Sequence, residues 1–196
     1  MGKWIGIGIV VLVLAAGASG VSTYNSLVTL DQSVQAQWAQ VENVYQRRAD
    51  LVPNLVETVK GAAAFETETF TAVAEARAKV GQVNAGDIAN NPEAFARFQQ
   101  AQDGLSSALS RLMVVVEKYP DLKATQNFRD LQVQLEQTEN RITVERQRFN
   151  ESAQAFNTKR MSFPMVFIAP FFGSRFAEKV YFKAQPGTES APQVKF

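Results

Sequence analysis

The chain has 196 residues, with 20 Lys and Arg against 19 Asp and Glu and neither Cys nor His. That length serves one domain plus an anchor, and a net charge of +1 gives no electrostatic reason to expect nucleic acid as a partner. Without Cys or His there can be no disulfide, thiolate nucleophile, acylated lipoprotein anchor or Cys- or His-ligated metal, and the commonest general base is missing.

Residues 4–30 carry no charge, and residues 4–21 are nearly all apolar or small. At 1.5 Å per residue the shorter stretch spans about 27 Å, enough to cross a hydrocarbon core. Lys3 precedes it and the first Lys or Arg after it is Arg47. That asymmetry predicts a single pass with the N-terminus cytoplasmic and the body translocated, so that the bacterial inner membrane is the expected location. Trp4 and Tyr24 would lie near the two interfaces. A cleaved signal peptide is the competing reading, with Ala16-Gly17-Ala18 as its cleavage site, although the apolar run is long for such a segment.

From 22 to 79 the pattern is helical. Val34, Trp38, Val41, Tyr45, Val52, Leu55 and Val59 form one apolar stripe. Pro53 interrupts it and leaves two readings open. One is a single kinked helix; the other is a new helix capped by Asp50, with Pro53 in its donor-free first turn. Residues 81–91 read as a linker, and Asn91-Pro92 as the cap and first position of the next helix. In that helix Phe98, Leu105, Leu112 and Tyr119 recur every seven residues, flanked by Phe95, Leu109 and Val116, and Tyr119-Pro120 ends it. A last helix over about 122–159 repeats Phe128, Leu135, Ile142, Phe149 and Phe156 at the same interval. This predicts a coiled-coil-like seam, but polar Thr138, Glu145 and Ser152 make it a bundle face.

Beyond Arg160, two prolines and four phenylalanines fall within 163–173. The prolines forbid a regular helix, and ten apolar residues are too few to span a bilayer. An extended tail packed across helix ends and an exposed patch, with Phe167, Phe171 and Phe172 meeting a membrane surface or a partner, both fit. The expected organisation is all-α: an N-terminal transmembrane helix at 1–21, long antiparallel helices making a three- to four-helix bundle at 22–160, and an extended Pro/Phe-rich tail at 161–196.

Tyr24-Asn25-Ser26-Leu27-Val28 and the uninterrupted block from Trp38 to Val56 resemble the LemA family of bacterial membrane-anchored helical proteins. Phe156-Asn157, Phe163-Pro164, Tyr181-Phe182 and the ending Ala191-Pro192-Gln193-Val194-Lys195-Phe196 agree with it. The resemblance covers nearly the whole chain and implies a small anchor, a long-helix bundle and no established enzymatic activity. After Gly61 the family often has an aromatic residue and a His. This chain has Ala62-Ala63-Ala64-Phe65-Glu66, so no role for that His carries over. Lys159-Arg160 and Ala169-Pro170 also depart from the usual tail.

The densest polar group is Glu42, Asn43, Arg47, Arg48, Asp50, Asn54 and Glu57. It offers carboxylates and guanidinium groups but no nucleophile beside a base. It reads more simply as ion pairs on a helix face with a cap at Asp50. Catalytic, cofactor and metal residues are therefore expected to be absent. A hydrolase built on bundle carboxylates, with or without a metal, is the alternative class, and a lipid-binding or membrane-remodelling module is a third. The expected role is an interaction or scaffolding module that self-associates or binds another envelope protein. Length adds a condition. A continuous helix over 22–79 would run about 87 Å, against about 40 and 57 Å for the next two. The stripe Leu27, Val34, Trp38 and Val41 would then lack an intrachain partner and become a homo-oligomer seam, whereas a turn back near Asp50 would give four comparable segments in an up-down bundle that buries it internally. The candidate interaction surface is that stripe with Glu42, Arg47, Arg48, Phe167, Phe171 and Phe172.

Overall fold

A computed structural model describes residues 2–61, 63, 66–83 and 88–183, so part of the Gly61–Glu66 and 81–91 connections and the Ala191–Phe196 ending lie outside the described residues. Helix α1 is Gly2–Lys60, unbroken through Pro53. Helix α2 (Thr67–Gln82) runs back along it, and α3 (Pro92–Val116) runs forward again. After the single turn α4 (Pro120–Lys123), α5 (Gln126–Met161) descends beside α1. A last turn, α6 (Met165–Ile168), leads into 3-10 turns at Ala169–Phe176. The described residues contain no strand, and the fold is all-α as expected.

Two apolar clusters fill the bundle. The lower one joins Leu27, Val34, Trp38 and Val41 to Phe95 and Phe98 of α3, to Ile142, Phe149 and Phe156 of α5, and to Phe176 and Phe182. The upper one joins Val52, Leu55 and Val59 to Phe70 and Val73 of α2, Leu105, Leu109 and Leu112 of α3, and Phe128 of α5. Trp38 meets Phe98 and Phe149 edge to face at 5.1 and 5.4 Å between centroids. The sevenfold repeats of α3 and α5 are thus the buried faces, and only Leu135 and Tyr119 stay half-exposed. Thr138 is buried too, and donates to the Gln134 carbonyl at 2.7 Å instead of facing water.

The first turns follow the sequence chemistry. Asn91 accepts from the Glu93 and Ala94 amides, both at 3.1 Å, with Pro92 at the first helical position. Thr125 caps α5 by accepting from the Phe128 amide.

The structure settles the readings left open at Pro53 and corrects the form of the tail. Asp50 caps nothing; it is exposed and accepts from Gln46 at 2.8 Å inside a continuous helix. The chain does turn back, but at Gly61–Glu66, so 22–79 is two helices. The condition for an oligomer seam is therefore not met, and the fold-back alternative holds with its turn displaced from Asp50 to Gly61–Glu66. The extra reversal puts α3 parallel to α1 and frees α5 to return along α1's whole buried length. Leu27, Val34, Trp38 and Val41 are 0–4% exposed against the chain's own helices, so continuity of α1 does not require a second copy to cover them. The tail also departs from a fully extended form. Its two prolines leave room for single turns, and among the described tail residues it is 177–183 that run extended, with Phe182 in the lower cluster.

Why α1 survives Pro53 is visible one turn earlier. A proline has no N–H for the carbonyl four residues back, which here belongs to Ala49. Arg77 of α2 donates its Nε–H to that oxygen at 3.0 Å. Ala49 is itself buried, so without this donor the freed carbonyl would be left in a poorly hydrated place. Replacing Arg77 by Met is therefore expected to cost about 1 kcal/mol of unfolding free energy in urea titrations. In a Pro53→Ala background, where a backbone N–H returns, the same change should cost clearly less. Equal costs in the two backgrounds would disprove the role.

Candidate interaction surface

The polar block of α1 does not converge on one site. Successive helical residues point 100° apart, and the structure spreads the block around the helix. Asn43, Arg47, Asp50, Asn54 and Glu57 are exposed, Glu42 is half-buried and Arg48 is buried. Glu42 accepts from Trp38 Nε1 at 2.7 Å and so holds the indole at the centre of the lower cluster. Burial pushes the Glu42 carboxyl above the usual carboxylate range, and the indole hydrogen bond only partly offsets this. Burial likewise raises the Tyr45 phenol, opposed by Arg146 and Arg48.

Arg48 is 2% exposed and separates the two apolar clusters. Its Nη1 donates to Glu139 of α5 and Ser106 of α3, both at 2.9 Å. Its Nη2 donates to the Gln102 carbonyl at 3.2 Å and to the Gln102 side chain. The guanidinium also lies 5.0 Å from the Tyr45 ring centroid. Three helices are thereby tied at one level, and the donor fork is directed at this chain's own groups.

A second buried cation, which the sequence groups with Arg175 and Lys183 as able to meet anionic headgroups, is instead turned inward. Lys179, in the extended segment after the 3-10 turns, is 1% exposed. Its ammonium reaches Asp31 of α1 at 2.5 Å and the Asn90 side chain, and stands 4.6 Å from the Phe156 ring centroid. Asn157 of α5 holds the same backbone, accepting from the Lys179 amide and donating to its carbonyl, both at 2.9 Å. The signal was present. Asp31 is a lone acid on the Leu27–Val34–Trp38 stripe, and such a buried carboxylate needs a cation.

Two surfaces stand out among the described residues. One is the tail: Phe163, Phe167 and Phe171 are 83, 69 and 88% exposed, with Phe172 partly so. The other is a groove of about 910 Å³ between α2 and α3 that sequence reasoning missed. Its floor holds Ala72, Ala76, Ala101 and Gly104, and Lys79, Arg97 and Arg111 stand along it with Glu75. Small residues there leave a depression that no apolar repeat announces. Among the described residues, no three His, Cys, Asp or Glu side chains lie close enough to share a metal ion.

Comparison with known proteins agrees with this architecture. The LemA family profile matches residues 37–196, and the chain belongs to that family. The chain is similar to "Magnetosome protein MamQ 2" and "Magnetosome protein MamQ 1" of Paramagnetospirillum magneticum. It is 28% identical to each over 198 residues, covering 92% of this chain and 72% of each relative. It is also 28% identical over 191 residues to "Magnetosome protein MamQ" of Magnetospirillum gryphiswaldense, covering 87% of this chain and 70% of that protein. Together with the bare apolar stretch of α1, long enough to cross a bilayer, family membership makes this a membrane-anchored protein.

The Glu42 shift has a definite sign. The folded chain holds that proton more tightly than the unfolded chain. Its contribution to stability is therefore fully present below the unfolded carboxylate pKa and is lost as pH rises through the folded value. Glu42→Gln keeps an acceptor for Trp38 but carries no charge to desolvate. The stability of the variant relative to wild type is expected to rise as pH increases from about 4 toward neutrality and then level off. A difference that does not change across that range, in denaturant titrations at each pH, would contradict the assignment.

Proposed function

We propose that the protein is a non-catalytic interaction module of the bacterial envelope, tethered in the inner membrane by α1 and presenting its bundle on the extracytoplasmic side. The observation that carries this reading is that anchor and bundle spine are one helix. Residues 7–14 of α1 include Ile7, Val10, Leu12 and Leu14 at 56–71% exposure, whereas Leu27 and Val34 of the same helix are fully buried. The charge asymmetry of Lys3 and Arg47 around the apolar stretch supports the orientation. The non-catalytic reading is supported by the way the buried polar groups are used. Lys179, Asp31 and Asn157 have partners within the chain, as do both terminal nitrogens of Arg48.

The α2/α3 groove is the partner surface this reading favours. A floor of alanines and Gly104 lets another backbone approach closely, and three cations against Glu75 suit a helix with acidic flanks. Such a helix belongs to a second copy of this chain or to another envelope protein.

Gly104 supplies the test, because a Cβ added there meets nothing within 4 Å. Gly104→Leu should therefore fill the groove without a clash. It should also leave the fold as stable or more so, by up to about 1 kcal/mol, because leucine is the better helix former. With a photoreactive side chain at Arg97 in intact cells, the wild-type background is expected to give one discrete adduct that Gly104→Leu abolishes. An adduct at twice 21.6 kDa identifies a second copy, and any other mass a different protein. An adduct that survives Gly104→Leu, or none at all, would reject the groove.

Orientation is tested separately. Val114 is 65% exposed near the top of α3 and the chain has no native Cys. Val114→Cys is expected to react with a membrane-impermeant maleimide added outside spheroplasts. Protection until the membrane is opened would place the bundle in the cytoplasm.

A further inference from the structure

The exposed phenylalanines of the tail stand at a particular height on α1. Phe172 and Phe176 lie 5.0 and 5.7 Å, centroid to centroid, from the Tyr24 ring, and Arg175 Nη1 is 3.3 Å from the Tyr24 hydroxyl oxygen. Val21, three residues earlier on the same helix, is still 62% exposed and belongs to the bare apolar stretch. Three residues of helix are about 4.5 Å. The tail patch therefore begins within one helical turn of the point where α1 leaves the hydrocarbon, and is continuous with the anchor's apolar surface.

The patch is held rigidly at that level. Met165, Ala169 and Phe176 are 1–2% exposed and bind its inner side to the lower cluster. The Arg160 Nε–H donates to the Phe176 carbonyl at 2.7 Å. Gly173, at φ 62 and ψ −144, takes a backbone conformation open to glycine and redirects the chain between the outward Phe171 and the inward Phe176. Phe163 and Phe167 pack edge to face at 6.5 Å, yet both remain largely exposed. Arg175 is exposed beside the patch, and Glu178 is the exposed acid nearest to it in sequence.

We propose that Phe163, Phe167, Phe171 and Phe172 form an interfacial foot that inserts into the leaflet from which α1 emerges. The bundle is then held to the bilayer at two points, the spanning helix and the foot. Aromatic rings bury their faces at the headgroup–acyl boundary, and Arg175 is placed to meet lipid phosphates. Continuity of the patch with the bare apolar surface of the anchor at Val21 and Tyr24 favours the leaflet over a protein as its occupant. The inference rests on α1 spanning the membrane.

The absence of native Cys allows single nitroxide labels in the full chain, reconstituted in phosphatidylethanolamine–phosphatidylglycerol bilayers. Labels at Leu12→Cys, Phe167→Cys, Phe171→Cys and Val114→Cys report collisions with oxygen, which concentrates in lipid, and with a water-soluble nickel chelate. All four positions are at least 65% exposed, so none of these substitutions removes core packing. The oxygen-to-nickel ratio at Phe167 and Phe171 is expected to exceed that at Val114 several-fold and to approach that at Leu12. A ratio at Phe171 equal to that at Val114 would overturn the foot while Leu12 still reports a spanning helix. Low collision rates with both reagents at Phe171 would overturn it in favour of a protein partner. An aqueous signal at Leu12 would remove the anchor itself, and the foot with it.

Discussion

One backbone oxygen sets the geometry of this protein. Pro53 deprives the Ala49 carbonyl of its helical donor, and a proline at that place ordinarily bends or ends a helix. Arg77 supplies the missing hydrogen bond from α2. Because α1 stays whole, one rod of 59 residues carries both the apolar stretch and the spine of the bundle. Nothing joins anchor to domain except helix. The orientation of the domain therefore follows from the tilt and rotation of α1, whereas a flexible linker would have left them unrelated.

The buried cations are arranged to enforce that geometry. Removing an arginine or lysine from water is costly, and an ion pair inside a protein rarely adds net stability compared with apolar packing. Its consequence is selective: a slip by one helical turn would leave the charge unpaired in the core. Arg48 checks the register of α1 against α3 and α5 at the junction of the two clusters. Lys179 checks the tail against α1, α5 and the turn before α3. The second check matters because the tail has no repeat of its own. Phe176 and Phe182 could pack at many offsets on an aromatic surface, and only one offset brings Lys179 to Asp31.

These features differ in how far the sequence reveals them. The seams of α3 and α5 were legible because three and four heptad steps, respectively, constrain a helix to one face whatever it packs against. Asn91-Pro92 was legible because it is local hydrogen-bond chemistry. The turn after Lys60 was not. Ala62, Ala63 and Ala64 are strong helix formers, and only burial of Ala63, Phe70 and Val73 against the upper face of α1 makes reversal worthwhile there. In the continuous-helix reading, missing that turn misplaced α5 and left the Leu27–Val41 stripe without a partner. Pro53 left two readings open for the same kind of reason, since the donor that keeps α1 whole comes from a residue 24 positions away. The α2/α3 groove was invisible for the opposite reason: alanines and a glycine carry no pattern that distinguishes a floor from an ordinary helix surface.

Height above the membrane connects these points. Trp38 stands fourteen residues beyond Tyr24, so the lower end of the groove, where α3 begins beside Trp38, is about 20 Å above the point of emergence. The upper cluster extends to Val59, about 50 Å above it. A single spanning helix fixes such heights poorly, because tilting the rod costs only fractions of a kcal/mol per ångström of mismatch. A second attachment at the base, packed beside α1 at Tyr24, would restrict both tilt and rotation. A partner reaching the groove would then need to project a helix to a defined height and on a defined side. For proteins confined to one membrane, that restriction converts shared confinement into effective concentration at the right geometry.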